Sequence, residues 1–327
     1  MKINTAIQDS NTPDMHVSIL MATFNGEAHL SRQIDSIQNQ SFECWTLWIR
    51  DDGSSDGTLS IIEKYSNIDS RIKLIEDECI GGGAAQNFGL LMKYASLKSD
   101  ADLIAFSDQD DVWLNDKLAI YTDKYAEHIT NTSKTVPCLL FSDLAVVNND
   151  LTILDPSFWN MELVDPKVDL TLASVLNRNV MPGCSMMLNR ALLNLATPMP
   201  DAAVMHDWWI LLLAAISGRI LVIDKITMYY VQHGGNQLGA KRRTFYISLL
   251  KIMTAPFAII SKIKFLHRAI LCQSEALLKK DIDAEHKLTV QEFLRVRNGN
   301  LITRIINKDV LPSSSFIIKA ANILIGT

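Results

Sequence analysis

The alternation of short apolar runs with segments of helical periodicity constrains the fold of this chain more than any other feature. The first run, residues 17–21, precedes a segment in which Leu30, Ile34 and Ile37 recur at helical spacing, with Asn25 as the expected helix cap. Further runs with the composition of strands lie at 46–49, 72–75, 103–106, 138–141, 184–188, 220–223 and 228–231. Strands that alternate with helices build βαβ units, so the pattern predicts an α/β fold with a large mixed sheet flanked by helices.

Composition and charge exclude several classes of protein. The 327 residues are 48% hydrophobic and 20% charged, which suffices for a packed core and excludes wholesale disorder. Lysine and arginine total 31 against 36 acidic residues, a net charge of -5, so we expect no nucleic-acid partner. The five cysteines are widely spaced without a C-x-x-C pair, which indicates reduced, mostly buried thiols in a cytoplasmic protein.

We expect neither a secretory signal nor a membrane-spanning helix. Residues 1–16 lack an apolar core, and the longest uncharged runs fall short of the roughly 18 to 20 apolar residues that cross a bilayer. The pattern predicts an N-terminal extension at 1–16, an α/β domain at 17–239 and a helical C-terminal extension at 240–327. Within the α/β domain, we expect residues 17–111 and 112–239 to form two halves.

Polar residues follow three of the predicted strands at the point where each strand ends, at 22–25, 51–54 and 108–111. Ligands of parallel α/β sheets gather at this edge. Two of the segments carry adjacent carboxylates, which repel one another unless a cation or a hydrogen-bonding ligand lies between them. An Asx turn with a helix cap explains Asp51 and Asp52 equally well, whereas the acceptors at 108–111 exceed what one turn satisfies. The sequence therefore predicts a metal-bridged or base-binding pocket.

A set of motifs occurs in order along roughly residues 15–239. The motifs are VSILMATFNGEAHL, WIRDDGSSDGT, GGGAAQNFG, FSDQDDVWLNDKL, PGCSMML, HDWW and YYVQHGGN. Together they resemble the family 2 glycosyltransferases with the GT-A fold, and SDQDDVW with HDWW and Q-H-G-x-N looks most like the bacterial polysaccharide branch, including the rhamnosyltransferases. The resemblance implies a nucleotide-sugar-binding half at 17–111 and an acceptor-binding half at 112–239.

The resemblance assigns the donor site to polar residues at the strand ends and the helix that follows. The nucleotide-sugar-binding residues it implies are Thr23, Asn25, Asp51, Asp52, Asn87 and Asp108. The Asp52 carboxylate would accept a hydrogen bond from a pyrimidine N3–H, which suits the uracil or thymine of a UDP- or dTDP-sugar. Residues 81–83 should line the sugar and diphosphate side. Gln86 stands where the commoner family pattern has Arg, so charge at the diphosphate must come from a metal or from His233.

The same resemblance implies a divalent cation. Asp108 and Asp110 form the Asp-x-Asp pair, and Asp110 would ligate Mg²⁺ or Mn²⁺, hard cations that keep oxygen ligands and neutralise a diphosphate leaving group. His233 would contact the metal or the diphosphate. The alternative for His233 is a partly exposed histidine in a glycine-rich loop.

Asp207 matches the position of the catalytic base in inverting members of the family. A carboxylate is needed there because an acceptor hydroxyl is a poor nucleophile until its proton is removed. The alternative for Asp207 is a cap of the apolar helix that follows. Trp208 and Trp209 would either present a ring face to the acceptor sugar or pack in the core.

The resemblance thus implies an inverting glycosyltransferase that moves a hexosyl or deoxyhexosyl unit, with rhamnose a candidate, onto a glycan or lipid-linked glycan in surface polysaccharide (O-antigen) assembly. Residues 244–271 combine apolar residues with spaced lysines, which suits peripheral contact with the inner face of the cytoplasmic membrane; a helical lid or a buried dimer contact is the alternative. A sugar nucleotidyltransferase would carry a glycine-rich, basic loop after the first strand, where TFNGEAH stands. A non-catalytic binding module would not need all four aspartates: Asp52, Asp108, Asp110 and Asp207.

Overall fold

The computed structural model describes residues 15–77, 81–166, 168–233 and 256–307. The first half follows the predicted alternation of strands and helices. Its elements are β1 (Val17–Thr23), α1 (Leu30–Gln38), β2 (Trp45–Asp51), α2 (Thr58–Ile68), β3 (Ile72–Leu74), α3 (Gly83–Lys98), β4 (Leu103–Ser107), β5 (Val112–Trp113) and α4 (Lys117–Ile129).

The second half contains longer strands and shorter helices. Its elements are β6 (Cys138–Val147), β7 (Ile153–Asp155), α5 (Phe158–Glu162), α6 (Leu172–Asn177), a 3₁₀ turn (Gly183–Ser185), β8 (Met186–Asn189), α7 (Arg190–Ala196), α8 (His206–Ser217) and β9 (Arg219–Val231). Three helices follow, namely α9 (Pro256–Leu277), α10 (Ala284–Asn298) and α11 (Leu301–Ile306).

The strands form one nine-stranded sheet in the order β3-β2-β1-β4-β8-β6-β9-β5, with β7 paired to β6. The pairs β1–β2, β1–β4 and β2–β3 are parallel, whereas β8 runs antiparallel to both β4 and β6. The predicted mixed α/β sheet of the GT-A fold is therefore confirmed. Because the first three parallel pairs end at one edge, the polar segments after β1, β2 and β4 lie together there.

Two details of the predicted pattern are wrong. The runs at 220–223 and 228–231 belong to one strand, β9, which stays paired with β6 because register shifts near Asp143 absorb the polar residues between the runs. Asn25 does not cap α1, since that position is held by His29. Asn25 instead adopts a left-handed conformation with φ of 48° in the loop before the helix.

The sheet buries apolar side chains on both faces. Successive residues of β1 alternate between them, so Ile19 and Met21 pack with α1 while Leu20 packs with α3. The C-terminal helices join the second of these clusters through Ile270, Leu277, Val290, Phe293 and Val296. This packing fits the lid alternative for part of the C-terminal region.

Residues 244–255 of the segment predicted to contact a membrane lie outside the described residues. The remainder belongs to α9, where Phe265 and Leu266 are 76% and 44% exposed. Among the described helices, none has the length and apolar character that a bilayer crossing requires. Cys138 and Cys184 are buried as predicted, whereas Cys44 and Cys272 are exposed.

Candidate active site

A pocket of about 1060 Å³ opens at the carboxyl ends of β1, β2 and β4. Its wall contains most of the residues singled out from the sequence: Thr23, Asn25, Asp52, Asn87, Asp108, Asp110, Asp207 and His233. The fold thus brings together side chains from both halves of the sheet. Asp51, Trp208 and Trp209 do not line the pocket.

Asp51 holds the turn that presents Asp52. Its carboxylate accepts hydrogen bonds from the Thr23 hydroxyl at 2.8 Å and from the Ser54 amide at 2.7 Å. These bonds fasten the end of β1 to the turn after β2. The Asx-turn alternative fits Asp51, and the direct nucleotide contact implied for it does not fit this placement.

The Asp52 carboxylate lies under the glycine loop and is only 6% exposed. It accepts hydrogen bonds from the amides of Gly81 at 3.0 Å and Gly83 at 2.8 Å, while Arg50 lies 3.5 Å away. Both glycines have positive φ values, 82° and 72°, which glycine adopts without steric cost. The Gly82 amide also donates to Asp52, at 3.4 Å. The two oxygens of a carboxylate offer about four acceptor sites, so a base N–H would replace one of the two longer contacts, those of Gly82 and Arg50.

Arg50 links the elements around the nucleotide side of the pocket. Its buried guanidinium forms two hydrogen bonds with Asp77, at 2.7 and 2.9 Å, and donates to the Asn87 side chain at 3.0 Å. Asn87 in turn donates to the backbone carbonyls of Thr23 and Arg50. The sequence analysis missed Arg50, although a charged residue inside an otherwise apolar strand next to two aspartates is the available signal.

The acidic segment after β4 contributes Asp108, Gln109 and Asp110 to the pocket wall. Asp110 Oδ2 and His233 Nε2 are 2.7 Å apart, although 123 residues separate them in sequence. Burial, followed by the negative charges of Asp110 and Asp207, raises the pKa of Asp108 to about 7. A carboxyl in this environment favours binding either a proton or a cation.

The donor set fits a divalent cation. Asp110 and His233 would hold the ion, since their oxygen and nitrogen atoms already lie 2.7 Å apart in the pocket. Carboxylate oxygens and an imidazole nitrogen suit such ions. A second group of ligand-type atoms, within 4.8 Å of one another, comes from Asp108, Asp111 and Cys184. Asp111 and Cys184 are buried. Lys117 donates to the Cys184 carbonyl at 2.7 Å, and burial lowers the pKa of Lys117 to about 8.

His29 is a pocket residue that the sequence analysis missed. Its ring stacks on His233 with centroids 4.4 Å apart and planes 26° from parallel. Burial and the neighbouring His233 lower the pKa of His29. His29 lies within the NGEAHL motif, but only the fold reveals that it meets a histidine some 200 residues later.

Asp207 lies in the first turn of α8 and is 8% exposed. Its carboxylate accepts hydrogen bonds from the amides of Gly183 at 3.1 Å and Trp208 at 2.6 Å. Burial raises its pKa to about 6, while these bonds favour its ionised form. Met205 occupies the N-cap position, so Asp207 does not have the predicted alternative role of helix cap. A carboxylate with this pKa is suited to accept a proton near neutral pH.

Trp208 and Trp209 pack in the core at 5% and 0% exposure. The Trp208 indole donates to the Val175 carbonyl at 2.7 Å, and the Trp209 indole donates to the Ala196 carbonyl at 3.2 Å. Their polar atoms are therefore satisfied inside the protein. The acceptor role predicted for them does not fit this placement, whereas core packing does.

The wall on the Asp207 side is formed by residues that the sequence analysis missed. They come from α5, from the residues just after it and from the loop before the 3₁₀ turn: Phe158, Glu162, Val164, Asn179 and Met181. The Asn179 side chain lies at the Asp207 carboxylate and lowers its pKa by hydrogen bonding. The chain between motifs carries no residue pattern that would have predicted this wall.

Comparison with known proteins identifies the family to which this chain belongs. A sequence model of glycosyl transferase family 2 matches residues 18–131. The dTDP-rhamnosyl transferase RfbG of Shigella flexneri is 30% identical over 230 residues, which cover 67% of this chain and 74% of that protein. The Escherichia coli UDP-Glc:alpha-D-GlcNAc-diphosphoundecaprenol beta-1,3-glucosyltransferase WfgD is 36% identical over 138 residues, 42% of this chain and 49% of that protein.

Solved structures show the same fold. The crystal structure of S. aureus TarS 1-349 matches with a TM-score of 0.59 at 19% identity, covering 87% of this chain and 72% of that one. The mannosyltransferase PcManGT from Pyrobaculum calidifontis, solved with GDP-Man and Mn²⁺, matches with a TM-score of 0.53 at 13% identity, covering 94% and 74%. Sequence and fold agree, and the chain belongs to glycosyl transferase family 2.

Proposed function

We propose that this glycosyltransferase inverts configuration as it transfers a sugar, with rhamnose the favoured candidate, from a dTDP- or UDP-sugar to a glycan or lipid-linked glycan of a bacterial surface polysaccharide. The observation that carries the proposal is a single pocket that joins Asp52, the Asp108 and Asp110 pair and Asp207. RfbG, a dTDP-rhamnosyl transferase by name, supports the donor class. WfgD, whose name specifies a UDP-Glc donor and a diphosphoundecaprenol-linked acceptor, supports the alternatives of a UDP-sugar donor and a lipid-linked acceptor.

In this proposal Asp207 is the general base. The acceptor hydroxyl attacks the anomeric carbon on the face opposite the nucleoside diphosphate, and its proton passes to the Asp207 carboxylate. The bond between the anomeric carbon and the diphosphate oxygen breaks in the same displacement, so the nucleoside diphosphate leaves with the bonding electrons. One displacement gives one inversion. The pKa of about 6 keeps Asp207 ionised, and so able to accept the proton, at neutral pH.

Asp108, Asp110 and His233 would hold a Mg²⁺ or Mn²⁺ ion at the diphosphate. When bound, the ion supplies positive charge to the leaving group. Asp52 would select uracil or thymine by accepting from N3–H, with Arg50 and the glycine amides fixing the carboxylate. Thr23, Asn25 and Asn87 complete the nucleotide side.

Donor binding tests the proposal. Isothermal titration of the full chain with dTDP-rhamnose, UDP-glucose and GDP-mannose, each with Mn²⁺, should give tight binding for a dTDP- or UDP-sugar only. Asp110→Ala should abolish the part of donor binding that depends on Mn²⁺, because it removes one carboxylate of the Asp108 and Asp110 pair. Asp116→Ala is the matched control, since Asp116 is exposed on the same segment and outside the pocket wall. Strong donor binding by Asp110→Ala in EDTA, or preference for GDP-mannose, would contradict the proposal.

Peripheral contact with an anionic membrane surface is a separate part of the proposal. Phe265 and Leu266 are exposed on α9, and Lys264 and Arg268 are exposed beside them. Apolar side chains flanked by basic ones suit the interface of an anionic bilayer. Such contact would bring the pocket to a lipid-linked acceptor.

A further inference from the structure

The strongest unassigned feature of the pocket is the stacked pair of His29 and His233. The two rings come from opposite ends of the α/β domain and meet beside Asp110. In the proposed function the Asp110 carboxylate and His233 Nε2 hold the cation, so the orientation of the His233 imidazole matters at this corner.

The backbone of His29 is firmly placed. Its amide donates to the Gly26 carbonyl at 3.0 Å, and its own carbonyl accepts from Arg32 and Gln33 in the first turn of α1. The next residue, Leu30, is fully buried against the sheet. The imidazole of His29 thus projects from a fixed helix start.

His233 follows β9 by two residues, and the preceding Gln232 amide still donates to Val147 at 2.8 Å. The torsion that turns an imidazole about its Cβ–Cγ bond has a broad energy profile, so the side-chain rotamer alone does not fix the ring plane. In the described state, Asp110 contacts Nε2 at 2.7 Å. A cation shared by Asp110 and Nε2 would replace that hydrogen bond, whereas the stack on His29 would persist.

We propose that His29 is a positioning residue that holds the His233 ring in the plane in which Nε2 and the Asp110 carboxylate converge on one divalent cation. This inference rests on the proposed function of the same corner. Ligating histidines are usually oriented by a partner outside the metal site, and loss of that partner weakens metal binding. The stacked ring of His29 is one such partner of His233. A ring without nitrogen atoms can supply the same face.

Mn²⁺ titration followed by electron paramagnetic resonance tests the role of His29 in the full chain. His29→Ala should weaken Mn²⁺ binding by about tenfold. His29→Phe should stay within about twofold of the unchanged protein, because phenylalanine restores a stacking face. His286→Ala is the control, since His286 lies on α10 with Asp283 as its ring partner.

Each outcome decides between explanations. Unchanged Mn²⁺ affinity in His29→Ala, with tight binding by the unchanged protein, overturns the positioning role and leaves the proposed function intact. Equal losses in the Ala and Phe variants also overturn it, because they show that a His29 nitrogen itself is required. Absence of Mn²⁺ binding by the unchanged protein overturns both the positioning role and the cation role of Asp110.

Discussion

Replacing Asp207 with Asn should raise the stability of the protein and lower its catalytic activity. Burial raises the pKa of Asp207 to about 6 from an ordinary value of 3.8, a difference of about 2 units. At about 1.4 kcal/mol per unit, the folded protein carries a cost of about 3 kcal/mol for keeping this carboxylate ionised at pH 7. Because the folded pKa is the higher one, the cost is complete above pH 6 and disappears below pH 3.8.

The Asn variant removes the charge and keeps an oxygen that can accept from the Gly183 amide. We therefore expect it to be more stable than the unchanged protein by about 1 to 3 kcal/mol at pH 7.5. At pH 5 the cost falls to about half, so the stability difference should shrink there. Urea unfolding at the two pH values measures this change.

The same substitution should lower the rate of sugar transfer although it raises stability. With Asp207→Asn, donor affinity should remain and turnover should fall by about 10² to 10⁴-fold, since no carboxylate accepts the acceptor proton. In the unchanged protein, turnover should decrease as the pH falls through 6, where Asp207 becomes protonated. Asp201→Asn is the control, because Asp201 is exposed and should change stability by less than about 0.5 kcal/mol.

Two results would refute this reasoning. A variant that is less stable than the unchanged protein at both pH values would show that the charge stabilises the start of α8. Near-normal turnover, or a product that retains the donor configuration by NMR, would show that Asp207 is not the base of an inverting reaction.

Three further variants test other parts of the pocket and its surroundings. Asp52→Asn should weaken UDP binding by about tenfold in calorimetry, because it removes a charged acceptor for the base, and unchanged affinity would contradict that role. Gly183→Ala would place a Cβ in steric conflict with the buried His206 ring, so we expect the free energy of unfolding to fall by about 1 to 3 kcal/mol in thermal unfolding; no loss would contradict close packing. Phe265→Ser with Leu266→Ser should reduce sedimentation with anionic liposomes several-fold and leave donor binding unchanged. Equal sedimentation would show that these residues do not contact the bilayer.

Patterns along the sequence predicted the strands and several residues of the site. Period and turn chemistry indicated the strands, and the motifs indicated Asp52, Asp110 and Asp207 as residues of one site. They also implied a nucleotide contact for Asp51, which builds the turn and does not line the pocket, because adjacent aspartates offer the same chemistry to a motif. They also could not show which way the indole of Trp209 points, since an apolar helix start allows either core or pocket.

The residues that sequence reasoning missed act through tertiary contacts. Arg50 is buried among partners from three segments, and its role follows from their convergence. His29 meets His233 only because β1 and β9 bring distant parts of the chain to one pocket. A period or a motif records neighbours along the chain, so contacts of this kind leave no local signal.

The negative charges of the pocket imply that cation binding and donor binding depend on each other. Asp108 has a pKa near 7 because it is buried beside the negative charges of Asp110 and Asp207. A nucleoside diphosphate would add further negative charge to the same pocket, and the resulting repulsion would oppose its binding. A divalent cation at Asp110, as proposed, would reverse the sign of that interaction. Cation and donor should therefore each strengthen the binding of the other, and by the same factor, because linkage between two binding equilibria is reciprocal.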